Sequence, residues 1–79
     1  MNAIWNREEL DLAVPDMRTD EDVRRASVAL AMHNGIVGVR SVKGEMFVRY
    51  RPAVIPEGDV AEALENAGFR PSVMQELAH

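Results

Sequence analysis

The stretch Ile36-Val37-Gly38-Val39-Arg40-Ser41-Val42-Lys43-Gly44-Glu45-Met46-Phe47-Val48-Arg49-Tyr50-Arg51 decides the fold. Two runs rich in β-branched and aromatic residues flank Lys43-Gly44, so the segment predicts a β-hairpin with strands over 36–42 and 45–51. A two-residue turn pairs Ser41 with Met46, Val39 with Val48 and Val37 with Tyr50. That register gathers Val37, Val39, Met46, Val48 and Tyr50 on one face. It leaves Arg40, Phe47, Arg49 and Arg51 on the other, solvated face. Ser41 is the weak member of the inward set.

Working outward, the segment before the hairpin reads as strand then helix. Glu8 to Val14 alternates, with Leu10, Leu12 and Val14 on one face, and Pro15 ends the run because it has no amide to donate. Thr19 to Asn34 predicts a helix with Val23, Ala26, Ser27, Leu30 and Ala31 facing inward. Thr19 and Asp22 have the spacing of a capping box, and Asp20, Glu21 and Asp22 crowd the first turn, where the helix dipole favours negative charge. Asn34-Gly35 is a helix stop. After the hairpin, Pro56 begins a second helix to about Asn66, with Val60, Ala61, Leu64 and Ala67 as its apolar stripe. Gly68 ends it, Phe69–Val73 is a last short strand, and Met74–His79 is a frayed turn of helix.

The order strand, helix, strand, strand, helix, strand, joined by right-handed crossovers, implies an α+β, ferredoxin-like βαββαβ sandwich. It has a four-stranded antiparallel sheet and two helices on one face. The expected organisation is a lead-in over 1–7, in which Trp5 packs back on the domain, one domain over 8–74 and a tail over 75–79.

Composition narrows the function classes. The net charge of −4 and the absence of a basic run argue against nucleic-acid binding. The longest apolar stretch is too short to cross a bilayer, and the N-terminus lacks the features of a secretory signal, so a cytoplasmic protein with no membrane insertion is expected. The chain has no cysteine, which removes disulfides, thiolate nucleophiles and thiolate metal sites together. No nucleophile–base set or glycine-rich phosphate loop is present, so an enzyme is not expected.

An ordered set of segments resembles the heavy-metal-associated domain family of copper chaperones and the N-terminal domains of metal-transporting P-type ATPases. The segments are Leu12-Ala13-Val14-Pro15-Asp16-Met17, Val23-Arg24-Arg25-Ala26-Ser27-Val28-Ala29-Leu30, Asn34-Gly35-Ile36-Val37-Gly38-Val39, Val48-Arg49-Tyr50-Arg51-Pro52 and Ala63-Leu64-Glu65-Asn66-Ala67-Gly68-Phe69. The resemblance covers about residues 8–74 and implies the ferredoxin-like fold. In that family a Met-x-Cys-x-x-Cys loop binds a soft ion. Carried over by position, Met17 matches, while Thr19 and Asp22 stand where the cysteines would be. Cu(I) prefers sulfur, so the usual site cannot form.

The resemblance therefore implies a degenerate loop of Met17, Thr19 and Asp22, holding no cofactor or at most a weakly bound metal ion. Three successive acids on a helix point in different directions, so a capped helix start is the stronger reading of 20–22. Met17 reads as a core filler. Met32, His33 and Met46 form the one other soft-ligand set, with Met32 partly buried. Candidate contact residues are Asp16, Asp20, Glu21 and Asp22 at the acidic loop end, and Phe47, Arg49 and Arg51 on the open sheet face beside Arg40. Phe69 beside the loop is a packing aromatic and a further contact candidate. The expected function is a non-enzymatic interaction or accessory module in a metal-handling or derived context. Its partner would be a protein, such as a metal transporter or another domain of this type, and the chain would be a monomer or weak dimer. The alternatives are a metal carrier or sensor with non-cysteine ligands, and a small-ligand regulatory domain similar to ACT domains.

Overall fold

The computed structural model describes residues 6–78, with side chains described through Met74. Trp5 and the expected lead-in before residue 6 lie outside the described residues. The element order is β1 (Glu8–Ala13), α1 (Asp20–Ala31), β2 (Ile36–Val42), β3 (Glu45–Tyr50), α2 (Glu57–Asn66) and β4 (Ser72–Ala78). The strands form one antiparallel sheet in the order β2-β3-β1-β4. This is the ferredoxin-like arrangement expected from the element order.

The period-two pattern of β1 places Leu10, Leu12 and Val14 wholly out of water. They join Met46, Val48 and Tyr50 from β3, and the stripes of both helices complete the same cluster through Ala26, Leu30, Val60, Ala63 and Leu64. Each large apolar side chain buried this way contributes roughly 1.5–3 kcal/mol. One polar link sits in this layer. Ser27 and Ser41 hydroxyls bond at 2.8 Å, and Ser27 Oγ also donates to Val23 O at 2.9 Å. Ser41, the weak inward residue of the hairpin, thus ties β2 to α1.

The hairpin register holds from the turn to mid-strand: Val42 opposes Glu45, Ser41 opposes Met46 and Val39 opposes Val48. It then shifts between Ile36 and Gly38, so Ile36, not Val37, opposes Tyr50. The bulge turns Val37 outward to 38% exposure, and Ile36 takes its place against the core. A single extra residue reverses every later side chain on a strand, which a uniform alternation cannot anticipate.

Other boundaries moved for local reasons. β3 ends at Tyr50, because the Arg51 amide donates to Gly35 O (2.8 Å) and its carbonyl accepts from the amides of Val54 and Ile55. Helix α1 stops at Ala31, leaving Ala31 and Met32 exposed. On α2, Ala63 faces the core where Ala61 was expected to share the stripe; Ala61 is half-buried. The last strand begins after Pro71 and continues to Ala78, with no helical turn at Met74. Proline cannot donate to the ladder, and beyond it β4 finds partners along all of β1, up to Glu8 opposite Ala78.

Candidate functional site

The loop between β1 and α1 is the first candidate. It is stapled to the hairpin turn: Val14 N donates to Gly44 O (2.9 Å), Gly44 N to Met17 O (3.1 Å) and Met17 N to Val14 O (3.0 Å). Met17 is fully buried beneath this loop, as its reading as a core filler requires.

Thr19 is the N-cap of α1, in extended conformation at φ −116°, ψ 163°. Its hydroxyl accepts from Asp22 N at 3.0 Å. Asp22 Oδ2 reaches back to accept from the amides of Thr19 (3.2 Å) and Arg18 (3.1 Å). Asp22 Oδ1 faces the Arg25 guanidinium at 3.5 Å. The bond from the Arg18 amide, foremost, holds the Asp22 carboxyl below the usual range; partial desolvation opposes it, and the Thr19 amide and hydroxyl and the Arg25 charge reinforce it. Both side chains that stand where the resemblance would place cysteines are thus committed to the helix start. An N-cap of this kind stabilises by about 1 kcal/mol.

Arg25 also lies over the Phe69 ring, 4.9 Å from its centroid. Phe69 is buried, so the outer surface at this point is the guanidinium and not the ring. The remaining loop carboxylates have partners too. Asp16 Oδ1 accepts from Arg70 N (3.4 Å), Asp20 pairs with Lys43 (3.8 Å) and Glu21 with Arg24 (4.0 Å). The two exposed ion pairs, Asp20–Lys43 and Glu21–Arg24, contribute ~0–1 kcal/mol each but reduce the negative field at this pole.

Among the described residues no cluster of three or more His, Cys, Asp or Glu side chains could hold a metal ion. The soft-ligand set of Met32, His33 and Met46 is not brought together: Met46 is sealed in the core, while Met32, expected to be partly buried, is 79% exposed beyond the end of α1.

The open sheet face is the second candidate. Arg49 Nε donates to Glu9 Oε2 at 3.2 Å, and the Arg40 guanidinium lies 5.1 Å from the Phe47 ring centroid. A shallow depression of about 210 Å³ lies between Gly38, Arg40, Phe47 and Arg49. Arg51 lies just past the strand, half-buried, with its backbone engaged in the turn that follows. On the same face Asp11 and Glu45 form a carboxyl pair. The hydrogen bond to Asp11, foremost, with burial and the Asp11 charge, raises the Glu45 carboxyl above its ordinary value. Two ionised carboxylates offer each other no donor and repel, which disfavours the charged form of Glu45.

Sequence reasoning did not find this pair, the Ser27–Ser41 bond or the Arg25–Phe69 stack. The first two had a signal. Asp11 and Glu45 fall on outward positions of adjacent strands, and two serines stand alone among inward apolar residues. The stack had none, because it joins α1 to the loop after α2.

No protein-family model matches the chain, and no curated protein sequence matches it. Solved structures do. A copper-binding domain from HMA7, a P-type ATPase, superposes with a TM-score of 0.83 at 22% identity, covering 87% of this chain and 96% of that one. Oxidized MerP from Ralstonia metallidurans CH34 gives 0.83 at 21% identity, covering 87% and 99%. The fold is that of the heavy-metal-associated domains. The N-terminal domain of a potential copper-translocating P-type ATPase from Bacillus subtilis, in its Cu(I)-loaded state, superposes at 0.80 with 18% identity over 89% and 90%. This chain shares that fold and contains no cysteine. No helix among the described residues is long and apolar enough to cross a membrane.

Proposed function

We propose that this chain is a non-enzymatic contact domain, built on the heavy-metal-associated fold and acting in the cytoplasm by binding another protein. The observation that carries this reading is the capping box. The hydroxyl of Thr19 and both oxygens of Asp22 are engaged by backbone amides and Arg25. Extracting either as a ligand would uncap α1, and neither is a donor that a soft ion prefers. Met17, the one sulfur at the loop, is enclosed in the core and has no thiolate beside it. A fold that keeps the loop's backbone staples after losing the thiolates retains the surface around it.

Two surfaces are candidates. The acidic loop end presents Asp16, Asp20, Glu21 and Asp22, and the open sheet face presents Phe47, Arg49 and Arg51. Solved structures of this fold include the CopZ metallochaperone and P-type ATPase domains, which makes a metal transporter or a second domain of the same fold the natural class of partner. The test is an amide NMR titration with Cu(I) and with Zn(II) under reducing, chelator-buffered conditions. The expected result is no saturable shift over residues 15–23. Saturable shifts clustered there would refute the contact reading and establish a metal carrier with substitute ligands.

A further inference from the structure

β2 is an edge strand of the sheet. Proteins usually guard such edges with lysine, proline or bulges. Here the bulge lies at the Val37 end, and from Gly38 to Val42 the strand runs in continuous register with neither lysine nor proline. Val42 and Glu45 close a two-residue turn and form a hydrogen-bonded pair. By alternation the amides and carbonyls of Val39 and Ser41 then turn away from β3 to the open edge.

Each face of this edge has its own depression, and both reach Gly38 and Val39. On the helix side, an apolar groove of about 390 Å³ lies between α1 and β2, lined by Val28, Ala31, Ile36 and Val37. Val28 in its wall is 51% exposed. On the open side lies the depression bordered by Arg40, Phe47 and Arg49. Arg49 is paired with Glu9, but Arg40 has no carboxylate partner among the described residues; it rests on the Phe47 ring. A Cβ at Gly38 would meet nothing within 4 Å, so space beside Arg40 is open.

We propose that the β2 edge captures an extended segment of a partner protein in which apolar and acidic residues alternate. The segment adds a fifth strand through the edge groups of Val39 and Ser41. Its apolar side chains enter the groove beside Val28, and its acidic side chains face Arg40. Alternate side chains of an added strand fall on opposite faces, so the two depressions dictate the alternating pattern. A second copy of this chain fits less well. An antiparallel β2–β2 pair centred on Val39 sets the two Arg40 side chains on one face, diagonal to each other, and like charges across a ladder repel. The proposal rests on the protein-contact reading above and names that partner's chemistry.

The probe is a labelled heptapeptide of alternating valine and aspartate, compared with one in which lysine replaces aspartate, both titrated into the full chain. Expected are amide shifts confined to 27–32 and 36–42, slowed exchange at the Val39 and Ser41 amides, and about fivefold tighter binding of the aspartate peptide. Arg40→Glu should invert that preference, and Val28→Asp, at an exposed helix position, should abolish binding while the circular dichroism spectrum is kept. Equal affinity for both peptides, no binding of either, or shifts at residues 15–23 or on β4 would overturn the proposal. A concentration-dependent dimer lost on Val28→Asp would overturn it in favour of a second copy. Metal binding at 15–23 would defeat the contact reading without touching β2, whereas a metal-silent loop with no peptide binding defeats only this inference.

Discussion

Gly35→Ala probes the join between the two halves of the fold. Gly35 sits at φ +96°, and a Cβ built there would stand 2.7 Å from Ile55 Cγ2 and 3.0 Å from Val54 Cβ and Cγ1. The left-handed backbone costs an alanine about 1–2 kcal/mol. Overpacking adds roughly 1–3 kcal/mol, because Ile55 is buried and its backbone is held by the bond from Ile55 N to Arg51 O. The loss of unfolded-state entropy returns about 0.4–1 kcal/mol. The net is a destabilisation of about 2–4 kcal/mol, against a total of roughly 4–12 kcal/mol for a chain of this size. Urea unfolding followed by circular dichroism should show a fall in midpoint with unchanged slope. Gly44→Ala is the control: its φ is +85°, but nothing lies within 4 Å of the new Cβ, so it should lose only the backbone part less the same entropy return, a net of about 1 kcal/mol. If the two variants lose the same stability, the close approach of Val54 and Ile55 is not what demands glycine at position 35.

The capping box makes acid stability depend on Asp22. Its folded pKa is depressed, so its contribution is present above the unfolded value near 3.8 and is lost as pH falls through the folded value. Asp22→Asn should flatten the stability profile in that window, as thermal melts between pH 2 and 5 would reveal. Glu45 has the opposite sign. Its raised folded pKa means that the ionised form is penalised at neutral pH and the penalty lifts as pH falls. Glu45→Gln should therefore raise the melting temperature at pH 7 and lose that advantage in acid; a lower value at pH 7 would count against the Asp11 contact. Replacing Thr19 and Asp22 together by cysteine should create a Cu(I) site at the loop, read by competition with a chromophoric chelator. Absence of Cu(I) binding in a folded double variant would show that these two positions do not stand where the thiolates of the solved metal-loaded domains do.

Much of this was legible in one dimension. The alternation of Leu10, Leu12 and Val14, the Thr19–Asp22 spacing and the Lys43-Gly44 turn are local patterns, and local geometry sets them. From them followed the element order, the faces of β1 and β3 and the capped start of α1. The misplacements share one character. Val37 turned outward because a bulge between Ile36 and Gly38 depends on how β2 meets β3. β4 ran on to Ala78 because β1 was there to pair with it.

The sequence by itself thus determined the ferredoxin-like order of elements, the absence of thiolate chemistry and the capped start of α1, since each depends on residues within a turn or two of one another. Only the tertiary structure decided that Arg25 would cover Phe69, that Asp11 would face Glu45, and that β2 would be left as an edge between an apolar groove and an arginine resting on Phe47. Those contacts join residues far apart in the chain, and their geometry exists only once the sheet and both helices have packed on one core.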